Sequence, residues 1–249
     1  MTFWKTIKDD YPVYEEGIKE VLVVVLCSLK FLYIFDTPKD EQTKDKEEYL
    51  LASKLSYFLW NTPPDDELLS LASKGKLKKA LPSQIDRMVN DEKVWRMIRA
   101  FTYEWLRIDR HSNMRVNVHA FPDFTRFVKE DMVDETYHFI HHILKENLSI
   151  ENLVDSKFAM LNQNLAEFYG IKDVKGIQFR PVMLASTAKR GGLLSQGAFL
   201  SGHSDGTQAH TIKRAVWLKE KILGETPPPP PPNVPDLDPE TPGFEKMTL

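Results

Sequence analysis

Apolar residues recur along this chain in short stripes at helical spacing, separated by polar and proline-bearing breaks. From Tyr14 to Leu29, the positions Ile18, Leu22, Val25 and Leu29 fall on one face and predict a buried core helix, although the valines at 23–25 also suit a strand. Pro38 and the charged run from Thr37 to Glu48 interrupt the pattern and mark a linker. Between Glu48 and Trp60, Leu51, Leu55, Phe58 and Leu59 define an amphipathic helix. Thr62 is expected to cap the next one, with proline in its first turn and Asp65, Asp66 and Glu67 near the positive end of the helix dipole. Ser83 and Asp86 form a further start signal after Pro82. Val94, Ile98, Phe101, Trp105 and Ile108 then predict a long helix, and Asp109 to Ala120 a polar connection. Pro122 opens a longer helix reaching Glu146, with Met132, Phe139, Ile140 and Ile143 as its buried stripe.

Later segments are shorter. Ser149 starts a helical piece through Val154, and Leu161, Leu165, Phe168 and Tyr169 give another, which Gly170 stops. Residues 179–183 read as extended, with Pro181 restricting any pairing to an edge. Thr211 is expected to cap a helix from Ile212 to Leu223, burying Ile212, Val216 and Leu223, with Gly224 at its end. Helical stripes with almost no alternation predict an all-α fold: an irregular multi-helix bundle with a C-terminal helical hairpin and an extended polyproline segment.

Composition bounds the chemistry. At 249 residues the chain can bury a sizeable core. Its net charge of −3 suggests no broad surface for nucleic acid or an anionic membrane. The apolar run 21–35 contains Lys30 and falls short of the ~20 residues a spanning helix needs, so no membrane span is expected. Cys27 is the one cysteine, which excludes an internal disulfide, a four-cysteine zinc site and C-x-x-C-H haem attachment within these residues.

Candidate sites each have a plain structural reading beside them. Asp65, Asp66 and Glu67 invite a metal or acid–base role, but capping accounts for all of them. Glu135, His138 and His142 are spaced to converge on a metal, although no second Glu-x-x-His supplies matching ligands from another helix. Gly191 and Gly192 permit close backbone approach without forming a phosphate loop, and the surroundings of Ser195 make no nucleophile elbow. His203, Asp205 and His210 have the chemistry of ligands or acid–base groups. Arg190 and Arg214 complete the catalytic candidates, with Lys213 and Arg214 otherwise reading as exposed charges or salt-bridge partners. Pro227 to Pro232 form a stiff polyproline rod of roughly 3.1 Å per residue, suited to a spacer or to an aromatic groove in a partner.

Segments in a fixed order carry a resemblance. LSYFLWNTPPDDELLSLASKGKL at 55–77, EWLRID at 104–109, FPDF at 121–124 and LNQNLAEFYGI at 161–171 are followed by RGGLL at 190–194 and by a proline run ending in NVP. Together they resemble the planctomycete-type cytochrome-c-associated multi-domain proteins. The resemblance implies three parts: residues 1–46 as the tail of a preceding helical domain, 47–184 as a central helical domain, and 185–249 as the start of a following one. It also implies haem c on a C-x-x-C-H segment beyond Leu249, a periplasmic or extracellular location, and partners among other domains of the full-length protein and a redox partner. No cofactor is expected within these residues, and the chain reads as a fragment truncated at both ends or as a natural short form. Ala209-His210-Thr211-Ile212 and Ala215 depart from the Thr-Ser-Pro-like loop and the glycine of the family. The function expected is a structural and positioning module, with electron transfer carried by the haem segment. The alternative is an enzyme acting oxidatively or hydrolytically on an extracellular substrate through the Arg190–Arg214 region.

Overall fold

The computed structural model describes residues 2–7, 10–33, 44–185 and 187–228, and the protein is mostly helical. The part of the proline run at 229–232 and the NVP that follows lie outside the described residues, as does most of the charged linker. The chain divides into two compact units, residues 1–100 and 101–249.

The first unit opens with α1 (Thr2–Ile7), α2 (Tyr14–Leu26) and α3 (Leu29–Leu32). Trp4 meets Tyr14 edge-on at 5.4 Å, and Gly17 leaves room for the indole between α1 and α2. The sequence predicts α2 as a buried core helix. Leu22 and Val25 of α2, and Leu29 beyond its end in α3, stand exposed instead, because a periodic stripe shows that a helix can bury a face but not that a partner covers it.

Next come α4 (Lys44–Trp60), α5 (Asp66–Ser73) and α6 (Leu77–Val89), which enclose a core of Ala52, Leu59, Trp60, Leu68, Ala72, Leu77 and Met88. The buried face of α4 runs through Ala52 and Leu59, so Phe58 points outward at 69% exposure rather than joining the stripe. Asp65, not Thr62, caps α5: its carboxylate accepts from the Leu68 N–H at 3.0 Å and from Arg87 at 2.7 Å. The α6 helix runs continuously through Pro82, and Ser83 sits inside it, donating to the Ala80 carbonyl, so no helix starts there.

Helix α7 (Val94–Leu106) ends at Arg107, whose left-handed φ of 54° turns the chain into α8 (Ile108–Asn113). The stretch read as a polar connection is therefore partly helical, and it buries Ile108 and His111. In the second unit, α9 (Arg126–Lys145) starts at a Thr125 cap rather than at Pro122, and it buries the expected Met132, Phe139, Ile140 and Ile143.

A short 3-10 turn at Ile150–Leu153 leads into β1 (Phe158–Leu161), then α10 (Gln163–Phe168) and β2 (Arg180–Met183). The strands pair antiparallel, with Phe158 opposite Met183 and Met160 opposite Pro181. Pro181 is tolerated because each strand of a two-stranded sheet is an edge. Leu161, expected to begin a helix, instead closes the strand, and Asn162 caps α10 through its side-chain oxygen.

Residues 190–196 lead into α11 (Gly197–Gly202), and a tight loop bridged at Ser204 and Ala209 returns the chain to α12 (Thr211–Lys221). Thr211 is the first residue of α12, with His210 in the cap position. Trp217 is its buried anchor, while Ile212 and Leu223 are exposed. A single indole buries more surface than the aliphatic stripe predicted there.

Candidate functional site

The most unusual polar grouping in the second unit joins α9, the end of α10 and the Arg190 segment. Glu135 faces inward from α9 and is fully buried. The Tyr169 hydroxyl donates to its Oε2 at 2.7 Å, and the Gly197 N–H donates to that hydroxyl at 3.1 Å. Oε1 of Glu135 has no partner among the described residues. Burial, which penalises a carboxylate in low dielectric, pushes the Glu135 carboxyl up to about 7, with the Tyr169 hydrogen bond and the nearby Arg190 charge acting the other way. Burial together with Glu135 also holds the Tyr169 phenol well above its ordinary value.

Arg190 completes the group. Its guanidinium lies 3.5 Å from the centre of the Tyr169 ring, a cation–π contact, and it donates to the Ser195 carbonyl at 3.0 Å. A cavity of about 570 Å³ opens beside it, with Met114, Phe121, Phe124, Met132 and Phe168 among its apolar walls and Tyr169 and Arg190 among its polar ones. An apolar pocket with a few convergent polar groups suits a small molecule.

The other catalytic candidates lie elsewhere in the unit. His203 is buried; its Nδ1–H donates to the Phe199 carbonyl at 2.9 Å, which leaves Nε2 to accept from Arg110 at 3.3 Å. Burial and the adjacent arginines hold its imidazole below the usual range. Asp205 accepts from the Thr207 and Gln208 N–H groups, closing its own loop, and lies 3.7 Å from His210. Those amides keep its carboxyl below the ordinary value. Arg214 donates to the Leu200 carbonyl. The structure therefore ties Arg190, His203, Asp205 and Arg214 to different partners rather than to one another.

The proposed metal ligands are likewise not drawn to one point. Glu135 is engaged with Tyr169, His138 stacks on Phe179 at 4.8 Å, and His142 meets Phe158 edge-on at 5.1 Å. Among the described residues, no group of three or more His, Cys, Asp or Glu side chains has a metal-holding arrangement. Ser195 Oγ accepts from the Gly191 N–H and bonds to the carbonyls of Gly191 and Gly192, so its hydroxyl serves the local turn.

Sequence reasoning missed two members of this interior. Tyr169 reads as one more apolar position at the end of a helix, and His111 as part of a polar connection. His111 is buried; its Nε2–H donates to the Lys129 carbonyl at 2.8 Å, and Nδ1 lies 2.6 Å from the Ser201 hydroxyl. No local pattern distinguishes either residue, since both are defined by partners far along the chain.

Among the described residues, no helix is long and apolar enough to cross a membrane. Neither a curated protein nor a solved structure matches the chain. Residues 190–248 match the family model PSCyt3, a protein of unknown function (DUF1588). Residues 47–171, just over half of the sequence, match PSD4, a protein of unknown function (DUF1592). Both matches fit the cytochrome-c-associated planctomycete grouping that the motifs resemble, and the chain belongs to the DUF1592 family.

Proposed function

We propose that this chain is a non-catalytic structural and positioning module of an extracytoplasmic cytochrome-c-linked protein, one that holds the segment following its proline run at a fixed place. The supporting observation is how the segment 190–206 is seated. Gly192 adopts φ 69° with its Cα against the Val154 carbonyl, and Gly206 adopts φ 89° against the Arg115 carbonyl, in spaces that no Cβ can share. His203 donates to the Phe199 carbonyl and Arg214 to the Leu200 carbonyl within the same segment, and Asp205 closes the loop that follows it. A segment tied down at so many backbone points is suited to transmitting a fixed geometry.

The residues present do not fit covalent haem attachment, because that sequence needs two thiols and Cys27 is alone and exposed. In this reading electron transfer belongs to the haem segment that the resemblance implies. The enzymatic alternative keeps one specific support: Arg190 and Tyr169, with Glu135 behind them, border the apolar cavity.

The test places one spin label at exposed Glu130 on α9 and a second at Lys246, after the proline run, in a Cys27→Ser background. A narrow distance distribution is expected in the native protein, broadening in Gly206→Ala. A broad native distribution overturns the positioning role. So does turnover of an oxidisable or hydrolysable substrate by residues 1–249 that disappears in Arg190→Gln.

A further inference from the structure

A second cavity, of about 710 Å³, lies between α8 and α12 in the second unit. Its walls carry Arg107, Arg110, Arg115, Lys213 and Lys221 against Asp205 and Glu220. Arg107 is neutralised by Asp109 at 2.8 Å, and the Asp205 carboxylate is occupied by its own loop amides. Arg110 has a neutral partner, the Nε2 of His203, which fixes the guanidinium without cancelling its charge. Among the described residues, Arg115, Lys213 and Lys221 make no ion pair. The cavity therefore holds an excess of positive charge in a chain that is net negative.

Trp217 is an independent observation pointing the same way. It lines this cavity and is 3% exposed, yet its indole N–H has no acceptor among the described residues. Buried donors are nearly always satisfied, so one left over in a residue of the cavity wall marks this part of the interior as incompletely partnered. Its ring is packed against Phe199 at 4.8 Å and Trp105 at 6.2 Å, which holds the N–H in place.

We infer that the cavity between α8 and α12 binds a small oxyanion carrying two or more negative charges, held by Arg110, Arg115, Lys213 and Lys221 with Trp217 at its wall. The cavity volume exceeds what a bare monovalent ion needs and lies within the range of small-molecule sites. Planar guanidinium forks and ammonium groups together suit phosphate or clustered carboxylate oxygens. The cavity shares Asp205 and the Arg115 stretch with the seating of 190–206, but anion binding by its side chains does not depend on the positioning role.

Calorimetric titration of the intact chain with inorganic pyrophosphate and, separately, with citrate tests it. Saturable binding of at least one anion is expected in low-salt buffer, weakening steeply as salt is added. The double variant Arg115→Gln/Lys213→Gln should weaken it by roughly tenfold or more, and Lys213→Gln alone by less. Arg126→Gln, an exposed arginine paired with Glu130 on α9, should leave it unchanged. Preference for pyrophosphate identifies phosphate chemistry, and preference for citrate identifies carboxylates. Unsaturable heats with both anions, equal competition by nitrate at matched ionic strength, or wild-type affinity in a folded double variant each overturn the site.

Discussion

In residues 1–100 the largest buried side chain is Trp60, and its single polar atom donates to the Met88 carbonyl at 2.9 Å while Lys93 and Arg87 lie over the ring. Buried polar groups in that unit are answered: Glu48 accepts from the Lys78 N–H, and Gln84 donates to Glu67. In residues 101–249 the interior instead holds Glu135, His111 and His203. Every buried side-chain atom without a partner among the described residues also lies there, on Thr102, Glu135, Gln196, Arg214 and Trp217. The first core is organised by apolar packing. The second holds buried ionisable groups beside polar atoms left without a partner, a combination that sites for ligands commonly carry.

The contrast can be broken most strongly at Trp60. Trp60→Ala removes the centre of the first core together with a buried hydrogen bond, and should cost ~3–5 kcal/mol in denaturant unfolding followed by circular dichroism. A loss below ~1 kcal/mol would show that this core is not organised around the indole.

Glu135 gives the next largest effect and shows pH dependence. Its folded carboxyl titrates near 7 against an ordinary 4.5, so the folded state holds a proton that the unfolded chain releases. Stability conferred by that proton is present below about pH 4.5 and lost as pH rises to about 7, amounting to at most ~3 kcal/mol. His111 and His203, held below their ordinary range, oppose this: their contribution falls as pH drops below 6.5. Comparing Glu135→Gln with the native protein isolates the carboxyl. The variant should gain relative stability from pH 5 to pH 8, and parallel pH profiles would remove the raised titration.

Gly206→Ala follows. The left-handed backbone alone should cost ~1–3 kcal/mol, and contact with the Arg115 carbonyl adds to that. Thermal melting monitors it, and Gly75→Ala, a positive-φ glycine with open space around its Cβ, is the milder control. The smallest effect is expected for Asp65→Ala, which removes the α5 cap and the half-exposed pair with Arg87: about 1 kcal/mol, and lost on acidification because Arg87 and the Leu68 N–H keep this carboxyl below its ordinary value.

Much of the helical scaffold was legible because a buried helix face must repeat with the turn. The stripe Met132, Phe139, Ile140 and Ile143 shows this directly. Start signals were less reliable, since Thr62, Ser83 and Thr211 all have capping chemistry while Asp65, an interior position and His210 occupy the actual places. Of the candidate site, Glu135 and Arg190 were visible as chemistry but not as neighbours. Tyr169, which joins them, reads only as an aromatic at the end of a helix.

By itself, then, the sequence determined the mostly helical class, the positions of the main apolar faces and the ordered motifs that place the chain in its family. Those depend on neighbours within a few residues or on motif order, and both are written along the chain. Tertiary structure alone decided that α2 exposes its apolar residues, that Glu135 lies beneath Tyr169, and that Arg110 of α8, with Arg107 and Arg115 on either side of that helix, shares one cavity with Lys213 and Lys221 of α12. Burial and charge convergence depend on which distant surfaces meet, and no local period encodes that meeting.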